Sequence, residues 1–206
     1  MGGRSVHTGT EGRNIMPVVH SILNVQGGGA KSAALFDYIA DRRYGRGSID
    51  FNRITPMPPW VYRQPTNLAL LEKYGEENCS RGWCLKHWGT PQNALRPDRT
   101  AKSYDGGSAI RFETEDRDVR ELIRKLSLIF KELYLDYLWA SVDIGSSVGA
   151  VQYRDGEALI EFIPTPGTRA AIEKSLDILG ARAADYGLTY NPASGNYEYG
   201  GRDEDR

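Results

Sequence analysis

Cysteine is scarce in this chain, with only Cys79 and Cys84 among 206 residues. That excludes a disulfide-stapled scaffold and fits a reducing cytosol. Net charge is also missing, because 26 Lys plus Arg against 27 Asp plus Glu leave −1 at pH 7. A balanced surface excludes strong general attraction to nucleic acid or anionic membrane, though a local patch can still bind either. No run approaches the ~20 apolar residues of a membrane span. Residues 1–15 are polar and Gly-rich, with no apolar core of the kind a signal peptide carries. Histidine is limited to three residues, one of them, His7, in that leader.

Hydrophobic residues at 40% and charged residues at 26% are the values of a globular domain. A chain of this length can bury roughly 70% of its unfolded surface without metals or disulfides. The expectation is a cytoplasmic single domain over 16–199, with a disordered leader at 1–15 and a disordered charged tail at 200–206.

Hydrophobic patterning sets the order of elements. Val19, Leu23 and Val25 alternate with His20 and Ile22, which predicts a strand over 18–25. Gly27-Gly28-Gly29 ends it, and 30–41 reads as a helix carrying Ala34, Leu35, Tyr38 and Ile39. A second strand is expected at 49–54, before Pro56, Pro58 and Pro59 stop regular structure. The stretch 58–107 reads as a long irregular insertion with one short helix near 67–74. Ile110 and Phe112 opposite Arg111 and Glu113 then predict a strand over 109–114. Val119, Leu122, Ile123, Leu126, Phe130 and Leu133 fall at helical spacing, with Asp116 as the expected cap. Strands follow near 135–144, 148–153 and 159–163, the last after the hairpin dipeptide Asp155-Gly156. A helix over 168–186 and a strand or hairpin within 189–199 complete the chain. This order predicts an α+β fold: a ferredoxin-like split βαβ core with the insertion and an added C-terminal helix and strand. Such a core leaves one sheet face open, for the insertion or the last helix to cover.

Two segments carry a family resemblance. Ile49-Asp50-Phe51-Asn52-Arg53-Ile54-Thr55-Pro56-Met57-Pro58 resembles the "DFNKIIPMP" segment of the YubB ferredoxin-like family of phage and plasmid proteins. Gly82-Trp83-Cys84-Leu85-Lys86-His87-Trp88-Gly89-Thr90 is similar to its "NWCxxxWGTKW" block, and Phe112-Glu113-Thr114 to its "FxT" step. The resemblance spans roughly residues 18–155 and implies a ferredoxin-like fold and a phage or mobile-element origin, with no catalytic residues. The chain departs from the pattern at Pro91-Gln92, where the family continues "KW", and at Glu115-Asp116-Arg117-Asp118.

Several clusters invite chemistry. Cys79, Cys84 and His87 offer three zinc-competent ligands, with a fourth available from His20 or an acidic residue. Their spacing matches no common zinc finger, so the favoured reading is a buried anchor with Trp83 and Trp88 pinning the insertion. No metal and no cofactor is expected. A Cys84–His87 nucleophile–base pair lacks any identifiable orienting third residue. Gly27 to Ser32 fails as a phosphate loop, because Ala30 stands where glycine must precede the lysine. Tyr137, Trp139 and Tyr153 are aromatics of the kind that stack on bases, but burying a helix is the simpler use.

The expectation is therefore a non-enzymatic phage or mobile-element accessory protein that binds a host protein or ribonucleoprotein. Inhibition of a bacterial defence nuclease, in the manner of anti-CRISPR proteins, is the specific case. The candidate contact residues are the basic-aromatic Arg42, Arg43, Tyr44 and Arg46 and the acidic Glu113, Glu115 and Asp116. The alternative is a nucleic-acid-binding module that uses the basic-aromatic loop and the open sheet face.

Overall fold

Strict alternation of buried and half-buried positions along Val18–Gln26 gives β1 one core-facing side, and it lies inside a sheet with a neighbour on each edge. The computed structural model describes residues 17–200, so the expected leader lies outside the described residues, as does the expected tail apart from Gly200. β1 pairs antiparallel with β2 (Ala109–Glu115) on one side and β3 (Tyr134–Ser141) on the other. β3 continues as a meander through β4 (Val148–Arg154) and β5 (Glu157–Phe162), giving the order β2-β1-β3-β4-β5. Asp155 and Gly156, both at positive φ (48° and 80°), form the tight turn between β4 and β5. The protein is thus mixed α/β, with a five-stranded antiparallel sheet and seven α-helices among the described residues.

The inner face collects Val19, Leu23, Ile110, Phe112, Tyr137 and Trp139 against α1 (Gly29–Ile39), α2 (Phe51–Ile54) and α6 (Arg120–Ile129). Leu122, Ile123 and Leu126 of α6 are fully buried, as its strong amphipathic spacing requires. Each large side chain so buried contributes roughly 1.5–3 kcal/mol. The outer face carries a smaller cluster, in which Ala140 and Val148 meet Ala171 and Ile178 of α7 (Arg169–Leu179). Gly149 has no side chain because a Cβ there would lie 2.4 Å from the Trp139 ring. The insertion adds α3 (Leu68–Tyr74), α4 (Ser80–Trp88) and α5 (Pro97–Lys102), where the sequence pattern had shown only the first.

Three expectations are corrected. Residues 49–54 are not a strand: Asp50 accepts a hydrogen bond from Asn52 N–H and starts the one-turn helix α2. Phe51 and Ile54 then share the buried side, whereas strand parity would have turned Arg53 inward with Phe51. Among the described residues one split β-α-β unit, β2-α6-β3 around β1, is consequently formed. The last helix stops at Leu179, because Gly180 takes the left-handed conformation (φ 63°) and caps it. A short 3₁₀ turn over Ala183–Tyr186 and the hairpin β6 (Leu188–Asn191) and β7 (Asn196–Tyr199) follow. Asp116 does not cap α6; it sits at positive φ (69°), and Asp118 accepts from the Arg120 N–H. No described helix is long and apolar enough to cross a membrane.

Candidate functional site

The basic-aromatic loop follows α1. Asp41 folds it by accepting from Arg43 and Tyr44 N–H at 2.7 and 3.3 Å. Gly47 at φ 94° passes where a Cβ would lie 2.5 Å from Tyr104. Arg46 donates twice to Asp37, at 2.6 and 2.5 Å, so its charge is matched. That bidentate bond holds the Asp37 carboxyl below its usual range. Arg43 lies over the Tyr44 ring at 5.3 Å, and Arg42 is exposed. Two of the three arginines therefore face solvent unmatched by the Asp37 carboxylate.

The acidic run lies at the opposite end of β2 from this loop, and arginines attend each of its members. Glu113 forms an ion pair with Arg96 and lies 3.8 Å from His20 Nδ1. Glu115 is 3.4 Å from Arg81 Nη1 and accepts from Gln92. Asp116 is 3.5 Å from Arg117 Nε. A block of free negative charge imitating phosphates is not what these contacts make.

Trp83, Cys84 and Trp88 join the main core, and Trp88 Nε1 donates to Thr55 O at 2.9 Å. Burial pushes the Cys84 thiol up to about 11, away from the reactive thiolate. His87 stacks on Trp83 at 4.4 Å, and partial burial beside Lys125 and Lys86 lowers its pKa. Among the described residues no three His, Cys, Asp or Glu side chains are gathered to hold a metal. Tyr137 and Trp139 are buried on the inner face, with Tyr137 Oη 2.9 Å from Ser21 Oγ and accepting from Val119 N–H at 3.0 Å. Burial raises the Tyr153 phenol to about 12. These rings are packing, not stacking platforms.

The strand expected near 159–163 is present as β5, and what the sequence pattern does not show is its exposure. Every residue from Glu157 to Phe162 is exposed, although the strand carries Leu159, Ile160 and Phe162. Ile160 is 64% exposed, Leu159 48%, Ile163 45% and Phe162 44%. Ile160 and Phe162 also edge a shallow outer-face groove of about 330 Å³ with Leu138, Ala150 and Gln152. β5 forms one sheet edge, while the other, β2, is covered by a bridge from Leu95 to Glu113. The signal in the sequence was a strand of β-formers lacking the buried alternation of its neighbours; only the sheet order shows that it is an edge.

No protein-family model matches the chain, and no curated protein matches it. Among solved structures it is similar to the crystal structure of a protein api92 from Yersinia pseudotuberculosis, described under the family model DUF1281. The identity is 19% and the TM-score 0.34, over 57% of this chain and 40% of that one. The chain thus spans less than half the length of that protein.

Proposed function

We propose that this is a non-enzymatic binding protein that attaches to a host protein through the β5 edge, adding a partner strand to its sheet. The observation that carries the reading is the full exposure of an apolar edge strand. An unpaired edge offers a row of N–H and C=O groups, solvated by water, that a partner strand can pair along its length. Glu157 and Glu161 sit on that strand, which suits a partner strand bearing basic residues. Burial of the Cys84 thiol supports a binding role over cysteine chemistry. Kinship with the YubB ferredoxin-like family, a ferredoxin-like core missing one strand, and a phage or plasmid origin belong to the same proposal. Masking of a defence nuclease in the bacterial cytoplasm is its specific case.

The test is affinity capture from nuclease-treated bacterial lysate with the wild type and Ile160→Lys, alongside the solution mass of each. A host protein retained by the wild type and lost by the variant, at equal melting temperature, supports the reading. Equal capture by both, or a wild-type dimer that Ile160→Lys dissociates, would overturn it. The alternative reading, nucleic-acid binding through the loop, draws on Arg42 and Arg43. It predicts salt-sensitive binding that Arg42→Gln and Arg43→Gln weaken.

A further inference from the structure

On the outer face, away from β5, the end of the insertion and the end of α7 enclose a cleft of about 390 Å³. Its floor is His20 of β1 with Arg111 and Glu113 of β2, adjacent because His20 pairs with Glu113 in the sheet. One wall carries Arg96, which precedes α5, and Arg99 within α5. The other is the last turn of α7 with Tyr186. Arg96 adopts φ 47°, a costly conformation for a non-glycine residue, and is held there with its side chain against Glu113.

Three guanidiniums face one carboxylate here, so the cleft has an excess of positive charge with His20 neutral. Their donors are far from exhausted. Arg96 spends part of its fork on the ion pair with Glu113. Arg111 reaches the Ile178 carbonyl only at 3.5 Å. Arg99 is exposed at the mouth. Each guanidinium carries five N–H donors in a planar fork that suits phosphoryl oxygens. Between these groups lie Ile22, Leu179 and the Tyr186 ring, an apolar surface that a bare ion would not use.

We propose that this cleft binds a small phosphorylated organic molecule of about nucleoside monophosphate size, its phosphoryl group held by Arg96, Arg99 and Arg111. A concavity of this volume, with a few polar groups converging over apolar walls, has the form of a small-ligand site. The site is independent of the β5 edge, and of whether that edge binds a partner.

The test is calorimetric titration of the full chain with AMP, adenosine, inorganic phosphate and a short oligothymidylate. Saturable AMP binding, with adenosine silent and phosphate weaker, is expected. Arg99→Gln and Arg111→Gln should each weaken AMP about tenfold, the value of one charge-assisted hydrogen bond. Arg99→Gln is the decisive variant, because an exposed side chain on α5 can be replaced without disturbing the fold. Raising the salt should weaken AMP binding in the wild type. The proposal is overturned if millimolar AMP gives no saturable heat, or if neither variant changes it. Oligothymidylate binding more tightly than AMP would also overturn it, in favour of a strand-binding surface.

Discussion

The two faces of the sheet are built from alternate residues of the same strands, yet they are put together differently. The inner face buries Tyr137, Trp139, Phe112 and Leu23 beneath α1, α2 and α6, and the Trp83–Trp88 pair extends the same core into the insertion. The outer face is covered among the described residues by one helix, α7, whose Ala171 and Ile178 rest on Ala140 and Val148. Beyond α7 on one side lie the apolar groove and β5, and on the other the arginine cleft. Stability is concentrated where rings interlock, and free surface for recognition is left where one short helix does the covering.

Removing the centre of the inner face should have the largest effect. Trp139 packs on Tyr137 at 5.4 Å and supports the Arg120 guanidinium at 4.7 Å. Trp139→Ala should cost about 3–5 kcal/mol in urea unfolding. On the outer face, Ile178→Ala removes a buried side chain that has fewer neighbours able to leave a rigid hole. Its expected cost is about 2 kcal/mol, the low end for such truncations. Equal costs for the two would dissolve the distinction between the faces.

A smaller change tests whether the inner face also depends on polar order. Tyr137→Phe keeps the ring but leaves Ser21 Oγ and the Val119 N–H without their shared partner. Denaturant midpoints should show a loss of about 1–2 kcal/mol, the cost of an unmet buried donor. A neutral result would mean that Ser21 and Val119 find other partners.

The contrast between the faces was only half legible in the sequence. Period-two alternation marked β1 to β4, and helical spacing marked α6, because each buries one side against a large core. The segment 49–54 misled, since Ile49 and Phe51 alternate like a strand while the local Asp50 hydrogen bond decides for a helix. The expected helix over 168–186 overshoots α7, because apolar residues continue at helical spacing past Gly180, whose left-handed backbone ends the helix. The polar positions His20, Arg111 and Glu113 were visible on the minority side of their strands. Their meeting with Arg96 and Arg99 was not, because it depends on strand pairing and on the path of the insertion. Arg46 and Asp116 read from the sequence as free charges, but neighbouring side chains, Asp37 and Arg117, lie against them in the fold.

The smallest predicted effect separates burial from pairing on the outer face. His20 is half-buried, and burial is the main influence lowering its pKa from the ordinary value of 6.5. Glu113 acts the other way, while the charge on Arg96 adds to the lowering. The folded state therefore takes up a proton less readily than the unfolded chain, whose histidine titrates near 6.5. Where the unfolded state binds more protons, stability rises with pH. The folded state is thus unpenalised above about pH 6.5. It loses stability as the pH falls from there through the lowered pKa of His20, and loses no more below it. Urea midpoints of the wild type and His20→Gln, compared from above neutrality down through this window, isolate the effect from all other titrations. The wild type should lose stability relative to the variant on acidification. A relative gain would show that the Glu113 carboxylate outweighs burial, and that the outer face holds a His20–Glu113 ion pair.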